Sequence, residues 1–114
     1  MTLELRVTGM DLADALQEYI ERRLQFGLGR FRRRIGRVVV RLSDLNGPRG
    51  GVDKRCRVSV ELLRRGNVVV EETDSDLYGA INRATDRAGN TVARELKRAR
   101  DWRRHAPDTA RHGS

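Results

Sequence analysis

The fold this sequence predicts is an α+β domain of element order β-α-β-β-β-α, with a four-stranded mixed sheet and two helices packed on one of its faces. Three observations carry that expectation. Four short segments alternate apolar and polar residues with the period of two that marks a strand with one buried face. Two longer segments space their apolar residues three and four apart, as an amphipathic helix does. Finally, 114 residues of which 38% are hydrophobic supply one modest core and not two.

The first strand is carried by Leu3, Leu5 and Val7, which alternate with Glu4, Arg6 and Thr8. Asp11 then opens a helix, with Asp14 three residues later in the spacing of a capping box. Leu12, Leu16, Tyr19, Ile20 and Leu24 form its apolar stripe, and Gly27 and Gly29 are expected to end it. A second strand lies near Arg37–Leu42, with Val38, Val40 and Leu42 on one face. The turn formers between Asp44 and Lys54 read as a long flexible loop. Cys56, Val58, Val60 and Leu62 mark a third strand, and a tight turn at Gly66–Asn67 leads into a fourth over Val68–Thr73. The last element is a long helix from about Ser75 to Trp102, for which Thr73, Asp74, Ser75 and Asp76 offer capping oxygens. Its stripe is Leu77, Ile81, Ala84, Ala88, Val92, Leu96 and Ala99, with a bend possible at Gly89–Asn90 because glycine weakens a helix.

A strand–helix–strand connection returns the chain to the same end of the sheet, so the first two strands are expected to be parallel. The hairpins add antiparallel neighbours. Four strands with one apolar face each need covering on one side only, which two amphipathic helices supply. Residues 1–104 thus form one domain, and 105–114, with no apolar pattern, read as a disordered tail.

Charge is the strongest functional signal. Lys and Arg number 24 against 16 Asp and Glu, a formal net charge of +8, which favours polyanionic partners. The excess is uneven: Met1–Glu21 holds five acids and one arginine, whereas Arg22–Ser43 holds eight arginines and no acid. On the last helix, Arg83, Arg87, Arg94, Lys97 and Arg98 fall opposite the apolar stripe, with Asn90 among them and Asp86 at the edge. Such a ridge can track phosphates and release their counterions. A second basic surface, Arg6, Arg37, Arg41, Arg55 and Arg57, could line the open face of the sheet. The outward positions assigned there hold no aromatic for stacking bases, so a sheet platform for single strands is disfavoured.

Other classes find little support. No run of about 18 apolar residues suits a membrane span, and the first residues lack a basic start and an apolar signal core, so a cytoplasmic protein is expected. Cys56 sits in an apolar alternation as a core residue. His105 and His112 lie in the expected tail. Asp74 and Asp76 are explained by capping, and the glycine-rich run Gly47–Gly51 lacks the ending and helix of a phosphate loop. The expectation is a protein that is not an enzyme, with no catalytic residues, metal, cofactor or small-molecule substrate.

The run Ser75-Asp-Leu-Tyr-Gly-Ala-Ile-Asn82, entering a long basic helix, resembles a segment of the ribosome hibernation promoting factor and ribosome-associated inhibitor family, also called sigma-54 modulation proteins. RVVVRLSD over Arg37–Asp44 and the hairpin from Arg55 to Tyr78 fit that family in order and spacing, and the resemblance spans about residues 2–100. It implies binding to ribosomal RNA of the small ribosomal subunit near the decoding centre, where messenger and A- and P-site transfer RNAs lie, and inhibition of translation in stress or stationary phase. The family's contacts are basic positions on the helices. Matched one at a time these are Arg22 and Arg23 on the first helix and Arg83, Arg87, Arg94, Lys97 and Arg98 on the last. Asp76 and Tyr78 match the motif as cap and packing residues. The lysine-rich end usual for the first helix is replaced by QFGLGRFRRRI, and Ala88-Gly89-Asn90 stands where a larger apolar residue is common. No dedicated dimerisation domain is expected, as in short members. A general double-stranded RNA-binding domain and a basic protein-interaction module share the charge signal and remain the alternatives.

Overall fold

The computed structural model describes residues 1–44 and 53–105. Its order is β1 (Thr2–Thr8), α1 (Asp14–Leu28), a 3-10 helix (Gly29–Arg34), β2 (Ile35–Asp44), β3 (Lys54–Leu62), β4 (Gly66–Asp74) and α2 (Leu77–His105). The strands lie in the order β1-β2-β3-β4. β1 pairs parallel with β2, from Thr2 opposite Arg37 to Thr8 opposite Ser43, and the other two pairings are antiparallel. The expected α+β fold and its mixed sheet are what the chain forms.

Alternation sends Val38, Val40 and Leu42 of β2, Cys56, Val58, Val60 and Leu62 of β3, and Val68 and Val70 of β4 to one face, where all are buried. Leu16, Ile20, Leu24 and Leu28 of α1 meet them, as do Ala80, Ile81, Ala84, Ala88, Val92 and Leu96 of α2. The alanines in α2 let that helix lie close against β3 and β4. Leu3, Leu5 and Val7 are only partly buried, because β1 is an edge strand and α1 covers one of its sides. Cys56 is fully buried, and that burial pushes its thiol up to about 12, which leaves it inert at neutral pH.

Several boundaries differ from the sequence expectation. α1 starts at Asp14, capped by the backbone of Ala13 with no side-chain hydrogen bond, so Asp11 and Asp14 form no capping box. Leu12 packs against the core ahead of the helix instead. α1 does end between the two glycines, at Leu28 with Gly29 as its C-cap, but Gly29 keeps right-handed helical angles (φ −57°, ψ −35°), so the chain passes directly into the 3-10 helix. The hairpin turn is Leu63–Arg65, the three residues before the expected Gly66–Asn67, which themselves open β4; Arg64 has φ 66° and Gly66 φ 85°. α2 runs without interruption through Gly89 and continues to His105. Most of the expected loop, residues 45–52, and the tail beyond His105 lie outside the described residues.

Where β2 and β3 leave the sheet, the ammonium of Lys54 sits 3.2 Å from both Asp44 and the buried Asp53. Burial alone would lower the pKa of Lys54, but hydrogen bonds to Asp53 and Asp44 outweigh it and raise the value above that of a free lysine. This charge cluster fixes the two ends of the 45–52 connection.

Candidate nucleic-acid interface

α1 and α2 lie side by side on the sheet and run in the same direction, since Tyr19 faces Asn82, Arg23 faces Thr85 and Asp86, and Gly27 faces Gly89. Their contact at the third pair is close: a Cβ on Gly89 would stand 3.0 Å from the Gly27 carbonyl oxygen. Gly89 therefore serves the packing of two helices rather than a bend.

The seven basic residues that sequence reasoning placed on the interface prove to be of three kinds. Arg23 is a clamp. Its Nε donates to Thr85 Oγ1 at 3.3 Å, and its Nη2 donates to the Asn82 carbonyl at 3.1 Å and to Asp86 Oδ1 at 2.5 Å. Its side chain is only 24% exposed. Thr85 is buried and spends its own proton on the Ile81 carbonyl at 2.8 Å, which leaves its oxygen free to accept from Arg23. Replacing Arg23 with glutamine is expected to lower stability by about 1–2 kcal/mol, because donors spanning two helices are lost together. Thermal unfolding checks this, and an unchanged midpoint would remove the clamp role.

Arg83 and Arg87 face solvent, yet both lean onto the edge strand β4. Arg83 reaches the Thr73 carbonyl at 2.6 Å, Asp74 at 3.0 Å and Glu72 at 3.4 Å. Arg87 meets Glu72 at 2.6 Å and the Glu71 carbonyl at 3.3 Å. Asp74 also accepts the backbone N–H of Asp76 at 3.0 Å. That hydrogen bond, ahead of the charge of Arg83 and against burial, holds its carboxyl below the usual carboxylate range. Asp76 caps α2 as expected: its Oδ2 accepts from the N–H of Gly79 at 3.2 Å. Tyr78 packs edge-to-face on Tyr19, with ring centroids 4.9 Å apart.

The remaining four are exposed. Arg98 pairs with Glu95 at 3.2 Å, within its own helix. Among the described residues Arg94 donates only to the Thr91 hydroxyl, at 3.3 Å. Arg22 and Lys97 have no ion pair among the described residues. Of these seven, the cations without a carboxylate partner among the described residues are thus Arg22, Arg94 and Lys97.

Two further basic surfaces lie outside the helical face, and the first is partly neutralised: Arg37 lies 3.7 Å from Glu4, Arg55 lies 3.7 Å from Glu71, and Glu71 stands opposite Arg57 on β4. On the open side of the sheet Arg6, Arg41 and Arg57 stand opposite one another in a single row across β1, β2 and β3. Arg6 pairs with Glu4, whereas Arg41 and Arg57 pair with nothing among the described residues. At one end of the molecule Arg33 and Arg34 of the 3-10 helix and Arg64 and Arg65 of the hairpin turn line a cleft of about 480 Å³ with Leu63 and no carboxylate. The Leu63 N–H donates to the Arg34 carbonyl at 2.9 Å and holds the two segments together. This cluster went unforeseen because its halves are 30 residues apart in sequence and neither shows a periodic pattern.

No three His, Cys, Asp or Glu side chains are grouped to hold a metal ion among the described residues, and no helix there is long and apolar enough to cross a membrane.

Comparison with known proteins adds a family. The family model for the sigma 54 modulation protein / S30EA ribosomal protein matches residues 3–100. Among solved structures, the N-terminal domain of Protein Y from Thermus thermophilus superposes with a TM-score of 0.64 at 32% identity, covering 82% of this chain and 98% of that one. A ribosomal subunit interface protein from Coxiella burnetii superposes at 0.69 with 16% identity, covering 85% of this chain and 99% of that one, a likeness of fold alone. Among curated proteins none matches.

Proposed function

The chain belongs to the sigma 54 modulation protein / S30EA ribosomal protein family, and on that premise we propose that it binds ribosomal RNA of the small ribosomal subunit near the decoding centre and restrains translation there. Occupying the space of messenger and of A- and P-site transfer RNA would hold ribosomes inactive in stress or stationary phase, in the cytoplasm where they work. The observation that carries the reading is the solvent-facing surface of α1 and α2, on which Arg22, Arg94 and Lys97 stand without carboxylate partners among the described residues. Arg98, Arg83 and Arg87 extend it, the last two by exchanging Glu72 and Asp74 for phosphate. Arg23 contributes by fixing the spacing of the helices while its exposed edge borders the same surface. Its work is binding and exclusion, with no catalytic step.

Sedimentation of the purified protein with isolated small subunits tests this. The protein is expected in the subunit fraction at low salt, and the logarithm of its affinity should fall steeply and linearly with the logarithm of salt concentration, since each neutralised phosphate releases counterions. In a cell-free extract it should lower translation, and excess messenger with initiator transfer RNA should relieve the effect by competition. Salt-independent association, or inhibition that no competitor concentration changes, would assign the protein another site. Equal binding to any long RNA duplex would make it a general double-stranded RNA binder instead.

A further inference from the structure

Phe26 lies on the helical face with its ring 85% exposed, the most exposed of the large apolar side chains in the described chain. Its neighbours on the buried side of α1, Leu24 and Leu28, are 2% and 0% exposed and complete the stripe without it. Two residues after Leu24, a turn of about 200° aims Phe26 away from the sheet. Glutamine or lysine at this position would form helix at least as well and would be better solvated, so folding does not account for the ring.

Its surroundings do suggest an occupant. Phe26 forms the wall between two shallow clefts. One, of about 350 Å³, is lined by Tyr19, Arg22 and Arg23, and the other, of about 440 Å³, includes Arg30, Asn90 and Asp86, whose carboxylate is paired with Arg23. Tyr19 is fixed as a floor by its edge contact to Tyr78 and its hydroxyl bond to Asn82. Arg22 precedes Phe26 by one helical turn and has no ion pair among the described residues. An aromatic ring beside a free guanidinium suits a ligand that has a flat π-face joined to a phosphate, and an unstacked nucleotide is such a ligand. An apolar segment of protein would leave Arg22 unpaired on docking.

We propose that Phe26 is a stacking platform for one unpaired nucleobase, with Arg22 holding the adjoining phosphate. The proposal rests on the RNA-binding reading above and deepens it: α1 and α2 would grip a single-stranded or looped-out nucleotide, beyond following the charge of the backbone. The aromatic that the open sheet lacks is supplied by the helices.

Two measurements on the full chain test it. In the first, affinity for isolated small subunits is compared for the wild type, Phe26→Leu and Phe26→Trp. Loss of a stacked base is expected to weaken Phe26→Leu by roughly 5- to 100-fold, while Phe26→Trp binds as well as the wild type or better. Phe26→Leu binding like the wild type would overturn the proposal, since leucine keeps the apolar bulk and lacks the π-face. In the second, Phe26→Trp is made together with Trp102→Phe, which leaves one indole in the chain. A single-stranded RNA hexamer should quench its fluorescence, and an abasic ribose-phosphate hexamer of equal charge should not. Equal quenching by both would overturn the proposal whatever the ribosome does. A wild type that fails to sediment with small subunits, but whose indole variant is quenched by RNA alone, would instead sink the ribosome reading and keep the stacking site.

Discussion

Reversing three charges, Arg22→Glu, Arg94→Glu and Lys97→Glu, is expected to weaken small-subunit binding by roughly two to four orders of magnitude, since charge-assisted contacts to phosphate are each worth about 1–3 kcal/mol and become repulsive on reversal. None of these three is held by a carboxylate among the described residues. Their substitution should therefore leave the thermal midpoint nearly unchanged, as exposed unpaired charges contribute little to folding. The same cannot be arranged with Arg83 and Arg87. Arg83→Glu would set a carboxylate against Glu72 and Asp74, and Arg87→Glu would set one against Glu72, so a loss of binding would be mixed with a loss of packing on β4. The control reverses Arg37, Arg41 and Arg57 on the open face of the sheet, an equal change in net charge at another surface, where Arg37 alone of the three has a carboxylate partner, Glu4 at 3.7 Å. It should bind far better than the helical variant in the same buffer. If both lose affinity equally, overall charge governs binding and the helical face has no special part. If the sheet variant alone loses it, the interface lies across the row formed by Arg6, Arg41 and Arg57.

What could be read from the sequence, and what could not, follows the range of the interactions. The strands and the stripe of α2 are written in local periodicity, because burial on one face demands period two in a strand and 3.6 in a helix. Leu77, Ile81, Ala84, Ala88, Val92 and Leu96 needed no partner to be recognised. The fate of the arginines is different. That Arg83 and Arg87 lean on Glu72 and Asp74 depends on how α2 is laid against β4, a tertiary arrangement that helical rotation alone does not contain. Helical rotation correctly made them solvent-facing and could not tell a free cation from a paired one. Arg23 was grouped with contact residues because a guanidinium late in a helix looks alike whether it meets phosphate or bridges to Thr85 and Asp86. Phe26 is legible in the sequence, since an aromatic on the polar side of an amphipathic stripe is a signal in itself. The 3-10 helix is not, since GRFRRR carries neither apolar period nor cap, and its order comes from Ile35 in the core and the backbone bond to Leu63.

The second large effect is expected at Gly89. Glycine inside a helix costs about 1 kcal/mol relative to alanine, so its place in the middle of a 29-residue helix calls for a compensating contact. That contact is the approach of α2 to α1, where a Cβ on Gly89 would lie 3.0 Å from the Gly27 carbonyl oxygen, 3.5 Å from its carbonyl carbon and 3.6 Å from its Cα. Backbone atoms cannot rotate aside as a side chain does. Gly89→Leu must therefore push the helices apart, and with them the spacing on which the Arg23 bonds to Thr85, Asn82 and Asp86 depend. Overpacking of this kind costs about 2–3 kcal/mol even after the helix-propensity gain, a fall in thermal midpoint of roughly 10–20 °C for a domain of this size. Gly89→Ala separates the two opposing terms. Its single methyl gains the propensity and meets the contact at its limit, so its midpoint should stay within a few degrees of the wild type. Spreading the helices also moves Arg22 and Phe26 on α1 relative to Asn90 and Arg94 on α2. Small-subunit binding by Gly89→Leu, measured well below its midpoint, should consequently fall although no contacting side chain has been altered. A leucine variant as stable as the wild type would mean that α1 and α2 can separate freely at this point, and the helical face would then lack the fixed geometry on which its recognition of RNA is argued.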